Sequence, residues 1–284
     1  MSQDSTTRLL LACPDRPGLI AAVSGFLADA GLNIVDADQH STEEGRFFMR
    51  MVFDALPEAE REEIERRFAE ELATPLRMDH HFAESSHRKR VAVMVSREDH
   101  CLSDLLWRWR NDELGGELVA VVSNHPDHAA QVESVGLPFH HVPVEPGGKE
   151  LAERHILELL GDQVELLVLA RYMQILSPEL TARLAGRCIN IHHSFLPSFK
   201  GARPYRKAHE RGVKLIGATA HFVTSDLDEG PIIEQALERV DHRATEADLV
   251  RIGRDIEAQV LARAVRWTAE RRVFLNGMRT VVFR

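Results

Sequence analysis

The first third of the chain alternates short apolar runs with two amphipathic stretches. Apolar positions Leu19, Val23 and Leu27 repeat with the helical period, and Gly31 stands where that helix would stop. Residues 58–73 are dense in Glu and Arg around a single apolar stripe, which predicts a surface helix with one buried face. Four apolar runs predict strands at residues 9–12, 33–40, 46–53 and 76–82. The resulting order, β-α-β-β-α-β, is the ferredoxin-like α+β arrangement.

The remainder of the chain has a different pattern, in which apolar runs alternate with stretches of helical periodicity. The predicted strands are residues 91–96, 118–123, 137–142, 166–170 and 189–191, and the predicted helices lie near 102–110, 128–135 and 151–160. This alternation predicts an α/β domain with a doubly wound, mostly parallel sheet covered by helices on both faces. Because residues 85–89 are polar and lack an apolar pattern, we predict a linker there between domains at 1–84 and 90–284.

The end of the chain predicts an irregular stretch over 193–202, then a helix that ends before Gly212. Two further strands are expected at 214–223 and 232–240. Thr245 and Asp248 have capping-box spacing ahead of a long helix, and the dipeptide Asn276-Gly277 predicts a terminal hairpin.

Composition narrows the class of protein. The 284 residues are 44% hydrophobic and 28% charged, which predicts an ordinary globular protein of two domains. The apolar runs are far shorter than the roughly 18 residues of a membrane helix, and no secretory apolar segment opens the chain, so we predict a cytoplasmic location. A net charge of −9 argues against a nucleic-acid partner.

Cysteine and histidine usage argues against a metal site. The three cysteines form no C-x-x-C pair and are expected to be reduced thiols. Fifteen histidines are present without an H-E-x-x-H motif, and doublets such as His192-His193 are expected to point their side chains in different directions. We therefore predict no metal ligand set.

Two polar residues stand at the carboxyl end of a predicted parallel strand, where open α/β sheets bind ligands. Asn190 and His192 are two residues apart, so both side chains should project to the same side of the sheet. An amide beside an imidazole suits acyl transfer, because the amide can stabilise an oxyanion while the imidazole moves protons. The alternative is that both residues simply end the strand.

A second polar cluster lies in the loop between the strands predicted at 214–223 and 232–240. Asp226, Asp228 and Glu229 precede Gly230 there. A carboxylate in this loop could orient an imidazole and stabilise its protonated form. Solvated turn residues are the alternative interpretation.

Taken together, the stretch Asn190-Ile-His-His-Ser-Phe-Leu-Pro-Ser-Phe-Lys-Gly201, the run His221-Phe-Val223 and the run Asp228-Glu-Gly-Pro-Ile-Ile233 resemble the formyl-transferase family that uses 10-formyltetrahydrofolate. The resemblance extends from about Arg90 to the C-terminus and implies catalytic roles for Asn190, His192 and Asp228. It also implies that a folate pocket is lined by Met173, Gln174, Ile175, Leu176, Val223, Thr224 and His221. From the residues alone, the stretch at 171–176 could also be a core edge. His221 could either contact the aspartate or only end its strand.

The N-terminal domain resembles an ACT domain in the run from Cys13 to Leu19 and the run from Gly31 to Ile34. That resemblance implies an amino-acid effector near the first helix, at Asp15, Arg16, Gly18 and Asn33. A purely structural or dimer-forming domain is the alternative. Such domains also predict a homo-oligomer formed through paired sheet edges.

The loop after the first strand of the second domain bears on the acceptor. Family members that formylate a phosphorylated amine have a glycine-rich loop there, whereas residues 96–102 lack glycine and include Glu98 and Asp99. A phosphorylated acceptor is therefore disfavoured, and water remains as the nucleophile. We expect a hydrolase that converts 10-formyltetrahydrofolate to formate and tetrahydrofolate for one-carbon and purine metabolism, without any cofactor. The rivals are a formyltransferase acting on an unphosphorylated amine and a non-catalytic sensor of folate and an amino acid.

Overall fold

The computed structural model describes residues 6–196 and 204–284 and divides the chain into two compact units. One unit ends at Arg88 and also includes Phe283 and Arg284, and the other is Lys89–Val282. The predicted fold class, a ferredoxin-like α+β domain followed by a mostly parallel α/β domain, is confirmed by the separate four-stranded and seven-stranded sheets.

The smaller unit is a four-stranded antiparallel sheet with its helices packed on an apolar core. Its elements are β1 (Thr6–Pro14), α1 (Leu19–Asp29), β2 (Ile34–Ser41), β3 (Arg46–Asp54), α2 (Arg61–Phe68), a π-helical segment (Ala69–Ala73), α3 (Thr74–Leu76) and β4 (Asp79–Glu84). The strand order is β2-β3-β1-β4. Phe26 of α1 and Phe68 of α2 pack edge to face with ring centroids 5.3 Å apart. The alternating pattern thus becomes one buried sheet face under two helices.

The last strand of this unit begins later than predicted. The helical region continues through Leu76, and Arg77 then adopts the left-handed conformation with φ 54°. Such a residue ends a helix and turns the chain, so β4 begins only at Asp79. The predicted strand at 76–82 was therefore wrong at its start.

The larger unit is built on a seven-stranded sheet. Its elements are β5 (Arg90–Val95), α4 (His100–Arg110), β6 (Glu117–Ser123), α5 (Ala129–Glu133), β7 (Phe139–His141), α6 (Lys149–Leu160), β8 (Leu166–Ala170), α7 (Pro178–Arg183), β9 (Cys188–His192), α8 (Pro204–Arg211), β10 (Leu215–Phe222), β11 (Ile232–Arg239), α9 (Glu246–Ala269), β12 (Val273–Asn276) and β13 (Arg279–Val282). The sheet order is β11-β10-β9-β8-β5-β6-β7, and β12 pairs with β13 in the predicted hairpin. Neighbouring strands are parallel throughout the part of the sheet that contains β5, β6, β7, β8 and β9. Strand β10 is antiparallel to both of its neighbours, β9 and β11.

Helices cover both faces of this sheet, as predicted. Val91 and Val93 of β5 pack in the core formed with α4 and α9, whereas Ala92 and Met94 pack in the opposite core with α6. Burial on both faces explains why these strands are continuous apolar runs. None of the helices in the described part of the chain has the length and apolar character that a membrane-spanning helix needs.

Two local expectations met different outcomes. The capping box of α9 is confirmed, since the Thr245 hydroxyl accepts from the Asp248 amide at 3.2 Å and the Asp248 carboxylate accepts from the Thr245 amide at 3.0 Å.

Helix α7 was missed, although Ser177 caps it by accepting from Leu180 N–H at 3.1 Å and Pro178 follows at its first position. The predicted irregular stretch at 193–202, and the part of the family motif from Pro197 to Gly201, lie largely outside the described residues.

Candidate active site

A cavity of about 640 Å³ opens at the carboxyl ends of β8 and β9, beneath the loop between β10 and β11. It is lined by all ten residues predicted for catalysis and folate binding: Asn190, His192, Asp228, Met173, Gln174, Ile175, Leu176, Val223, Thr224 and His221. The structure therefore gathers, in one place, side chains from stretches of chain that are far apart.

The strand register brings the first polar group together. Asn190 of β9 lies directly opposite His221 of β10, and His192 follows two residues further along the same strand. Asn190 Nδ2 and His221 Nε2 are 3.3 Å apart. His221 Nδ1 donates to the Phe222 carbonyl at 2.9 Å, so Nε2 is the ring nitrogen that faces both Asn190 and Asp228. The second amide hydrogen of Asn190 has no acceptor among the residues described and is available to a substrate oxygen.

His192 has the contacts of a general base. Its Nδ1 lies 3.1 Å from Asp228 Oδ2, and its Nε2 is buried without a hydrogen-bond partner in the described part of the chain. A neutral imidazole that donates from Nδ1 to a carboxylate carries its lone pair on Nε2. Buried polar atoms without a protein partner are uncommon and often mark a functional atom. The geometry therefore presents Nε2 as the nitrogen able to take a proton.

Asp228 is an ionised carboxylate in a strained backbone position. Burial alone would raise its pKa, but the imidazoles of His192 and His221 outweigh burial and hold the pKa of Asp228 well below its usual range. His221 Nε2 is 3.7 Å from Asp228 Oδ1, so His221 contacts the aspartate as well as ending its strand. The φ angle of Asp228 is 59°, a left-handed conformation that persists in folded proteins only when surrounding contacts enforce it.

The close approach of Gly230 to β10 is one of the contacts that hold Asp228 in this conformation. A Cβ atom at this position would lie 1.7 Å from the Phe222 carbonyl oxygen, so only glycine lets the loop close back onto β10. We expect Gly230→Ala to displace the loop, misplace Asp228, lower kcat at least tenfold and destabilise the fold by about 1–3 kcal/mol. Gly25→Ala in α1 is the matched control, because its Cβ would meet nothing within 4 Å. Equal kcat and thermal midpoint in both variants would contradict this explanation.

One wall of the cavity is apolar and solvent-facing. Met173 and Ile175 are 59% and 62% exposed, which excludes the alternative that this segment is only a core edge. Ser96, at the end of β5, braces the segment: its amide donates to the Arg171 carbonyl at 3.3 Å, and its hydroxyl accepts from the Met173 amide at 3.0 Å. An exposed apolar wall of this kind suits a flat heterocycle.

Another part of the cavity lining is polar, and the sequence did not predict it. Its centre is Glu257 of α9, whose side chain is only 1% exposed. Glu257 accepts from His100 Nε2 at 2.8 Å and from the Tyr205 hydroxyl at 2.5 Å, and its Oε2 lies 3.4 Å from Arg171 Nε. The only sequence signal for Glu257 was an acidic residue on the apolar stripe of a long helix.

The segment in place of a glycine-rich phosphate loop also faces this wall. Glu98 accepts from Arg254 of α9 at 2.7 Å. The guanidinium group that could have bound a phosphate is therefore already paired with a carboxylate. Asp99 precedes α4 as its N-cap residue, and its carbonyl accepts from the Ser103 amide at 2.8 Å. The Glu98–Arg254 pair is the contact that bears on the acceptor, and the exclusion of a phosphorylated acceptor stays a prediction.

A metal ion fits this wall poorly. His100, Cys101 and Glu257 each place one potential ligand atom within 4.8 Å of the others. However, the Glu257 carboxylate already accepts from His100 Nε2 and from the Tyr205 hydroxyl, and the Cys101 thiol is fully buried in the apolar core. The guanidinium of Arg171 beside Glu257 would also repel a cation.

The residues predicted for an effector lie in the smaller unit. Asp15 and Arg16 are in the exposed turn before α1, and Gly18 precedes that helix with φ 91°. The Asn33 amide donates to Asp54 Oδ2 at 3.1 Å at the start of β2. Their role in effector binding stays a prediction.

The fold and site define a formyl-transferase domain joined to an ACT domain: the family model for "Formyl transferase" matches residues 89–265, and that for "ACT domain" matches residues 7–70. The formyltetrahydrofolate deformylase of Mycobacterium bovis is 55% identical over 97% of this chain and 90% of its own. That of Bacillus subtilis is 48% identical over 97% and 93%. The crystal structure of the Burkholderia mallei formyltetrahydrofolate deformylase superposes with a TM-score of 0.93 at 50% identity, covering 99% of this chain and 100% of that one. The chain belongs to the formyltetrahydrofolate deformylase family.

Proposed function

We infer that this protein hydrolyses 10-formyltetrahydrofolate to formate and tetrahydrofolate. The observation that carries the inference is the His192–Asp228 pair beside Asn190, in a cavity with one apolar wall, in a chain 40–55% identical to proteins named for this reaction. The acceptor side of the cavity favours water, because the charged side chains described there are paired with one another.

We propose that His192 is the general base. Nε2 takes a proton from water as the water oxygen attacks the formyl carbon. Asn190 donates its second amide hydrogen to the oxygen of the tetrahedral intermediate. The bond from carbon to nitrogen 10 then breaks, and His192 returns the proton to that nitrogen. Asp228 holds the ring in the required tautomer and stabilises its protonated form, and the support for these roles is the geometry of the three side chains.

The test is formate release from 10-formyltetrahydrofolate without any added amine. We expect multiple turnovers, with one tetrahydrofolate formed for each formate. A formyltransferase would be nearly inert until an amine is added, and a non-catalytic sensor would bind the folate without turnover. Either result would overturn the proposed function. Adding glycinamide would distinguish the two, because only a transferase would then consume the folate and the amine in equal amounts.

Other features of the protein stay proposals. We propose that no metal or redox cofactor takes part, because an acid–base group and an oxyanion donor suffice for hydrolysis of a formamide. We also propose that the ACT domain binds an amino-acid effector and that the chain forms a homo-oligomer through the edge strand β2, where Val35 is 54% exposed. A cytoplasmic location and a role in supplying formate for purine synthesis remain predictions.

A further inference from the structure

Two adjacent imidazoles face the proposed reaction centre, and they have opposite electrostatic partners. The rings of His192 and His193 are stacked, with centroids 5.0 Å apart and planes inclined by 23°, so the expectation that this doublet diverges was wrong. Nδ1 of His192 lies 3.1 Å from the Asp228 carboxylate, whereas Nδ1 of His193 lies 2.6 Å from Arg171 Nη1.

The partner on His193 dictates where its hydrogen sits. A guanidinium group has only donors, so Nδ1 of His193 must accept, and the ring hydrogen of the neutral form is on Nε2. A second proton could enter His193 only at Nδ1. It would break this hydrogen bond and place an imidazolium against a guanidinium and against His192.

Arg171 is itself fixed by several contacts. Its backbone is left-handed, with φ 63°, and is tied to Ser96, while its guanidinium meets the buried carboxylate of Glu257. Burial alone would raise the pKa of Glu257, but the hydrogen bond from His100, the charge of Arg171 and the Tyr205 hydroxyl lower it. The carboxylate therefore stays ionised and holds Arg171 in place.

The backbone of α9 leaves room for the contact between Tyr205 and Glu257. A Cβ at position 253 would lie 2.0 Å from the Tyr205 hydroxyl oxygen, so Gly253 leaves the space through which Tyr205 reaches Glu257. Glycine inside a helix costs about 1 kcal/mol relative to alanine. Its presence in α9 is explained by this approach.

We propose that Arg171, held by Glu257, is a positioning residue that keeps His193 neutral, so that only His192 of the two stacked imidazoles takes the reaction proton. The inference deepens the proposed function and rests on it for the identity of that proton. When the surroundings of two neighbouring titratable groups push their pKa values apart, the difference indicates which group transfers the proton.

The charges facing His193 support this division of roles. Burial, then Arg171, then His192 lower the pKa of His193 to about 4, and they prevail over the opposing effect of Glu257 and Asp228. Tyr205 of α8, whose ring centroid is 6.3 Å away, stays uncharged because burial and Glu257 raise its pKa. At neutral pH the described surroundings of His193 therefore favour its uncharged form.

Nitrogen NMR of ring-labelled protein tests the inference without substrate. His193→Asn assigns the resonances by their loss. In the wild-type protein we expect His193 Nδ1 to be unprotonated at neutral pH and to titrate below pH 5. In Arg171→Met the midpoint should rise toward the ordinary value of about 6.5, whereas Arg206→Met, which removes another arginine that lines the same cavity, should leave it unchanged.

A pH profile of formate release adds a catalytic readout. Between pH 8 and pH 6, kcat of Arg171→Met should fall by up to about fourfold more than that of the wild type, because a new charge appears on the ring stacked on His192 as a group with a midpoint near 6.5 titrates. Arg171→Met combined with His193→Asn should lack this extra fall, since asparagine does not titrate.

Two outcomes would overturn the inference: a protonated His193 Nδ1 in the wild type at neutral pH, or the same His193 midpoint in the wild type and in Arg171→Met. The first needs only the wild type and the assignment variant, so it decides the question even if Arg171→Met does not fold. A protein that releases no formate would fail the proposed function, while the NMR titration would still report separately on His193.

Discussion

Replacing His192 with alanine should lower kcat by about 10²–10⁴-fold, the usual contribution of a positioned acid–base group. Nε2 is the buried nitrogen that the structure leaves without a protein partner, and the hydrogen bond of Nδ1 to Asp228 places the lone pair there. Without the imidazole, the proton of the attacking water has no acceptor in the described part of the cavity with this geometry.

The Michaelis constant separates this role from a binding role. We expect KM of His192→Ala to stay within about fivefold of the wild type, because the apolar wall of Met173 and Ile175 should supply most of the folate contact. His155→Ala, at an exposed position on α6, is the control for loss of a histidine as such. A kcat reduced by less than tenfold would remove His192 from the proposed mechanism.

The convergence of Asn190, His192 and Asp228 was predictable from sequence for a specific physical reason. Alternation along a strand puts residues two apart on one side, and ligands gather at the carboxyl ends of parallel strands. What the pattern left open was which acid of the following loop would reach the imidazole. The family resemblance implied Asp228, and the structure supplies the physical reason: Asp226 is exposed, whereas Asp228 has a left-handed backbone and faces His192.

The polar wall was not predictable, because its charges are buried by tertiary contacts. Glu257 looks unfavourable on an apolar helix stripe until His100, Tyr205 and Arg171 arrive from three other elements to pair with it. The stacking of His193 on His192 likewise depends on how the chain turns after β9, where strand alternation ends. Pairwise compensation of this kind has no periodic signature in a single sequence.

Replacing Asp228 with asparagine should lower kcat by about 10³–10⁴-fold with little change in the size of the side chain. The amide group can donate to His192 Nδ1, which moves the ring hydrogen to Nε2 and removes the lone pair that would accept the proton from water. Loss of the negative charge also removes the stabilisation of the protonated ring that forms during the reaction. Glu229→Gln is the matched control, since it makes the same chemical change on the next residue, which is exposed.

The same variant should change the acid stability of the protein, and the sign follows from the lowered pKa of Asp228. A carboxylate whose pKa is depressed in the folded state adds stability above its unfolded value, about 3.9, and that stability is lost as pH falls through the folded pKa. Below about pH 4 the thermal midpoint of the wild type should therefore fall more steeply with decreasing pH than that of Asp228→Asn. If the two midpoints run parallel while kcat of the variant stays near normal, Asp228 neither holds His192 nor supports the folded site, and the charge pairing at 3.1 Å has no functional consequence.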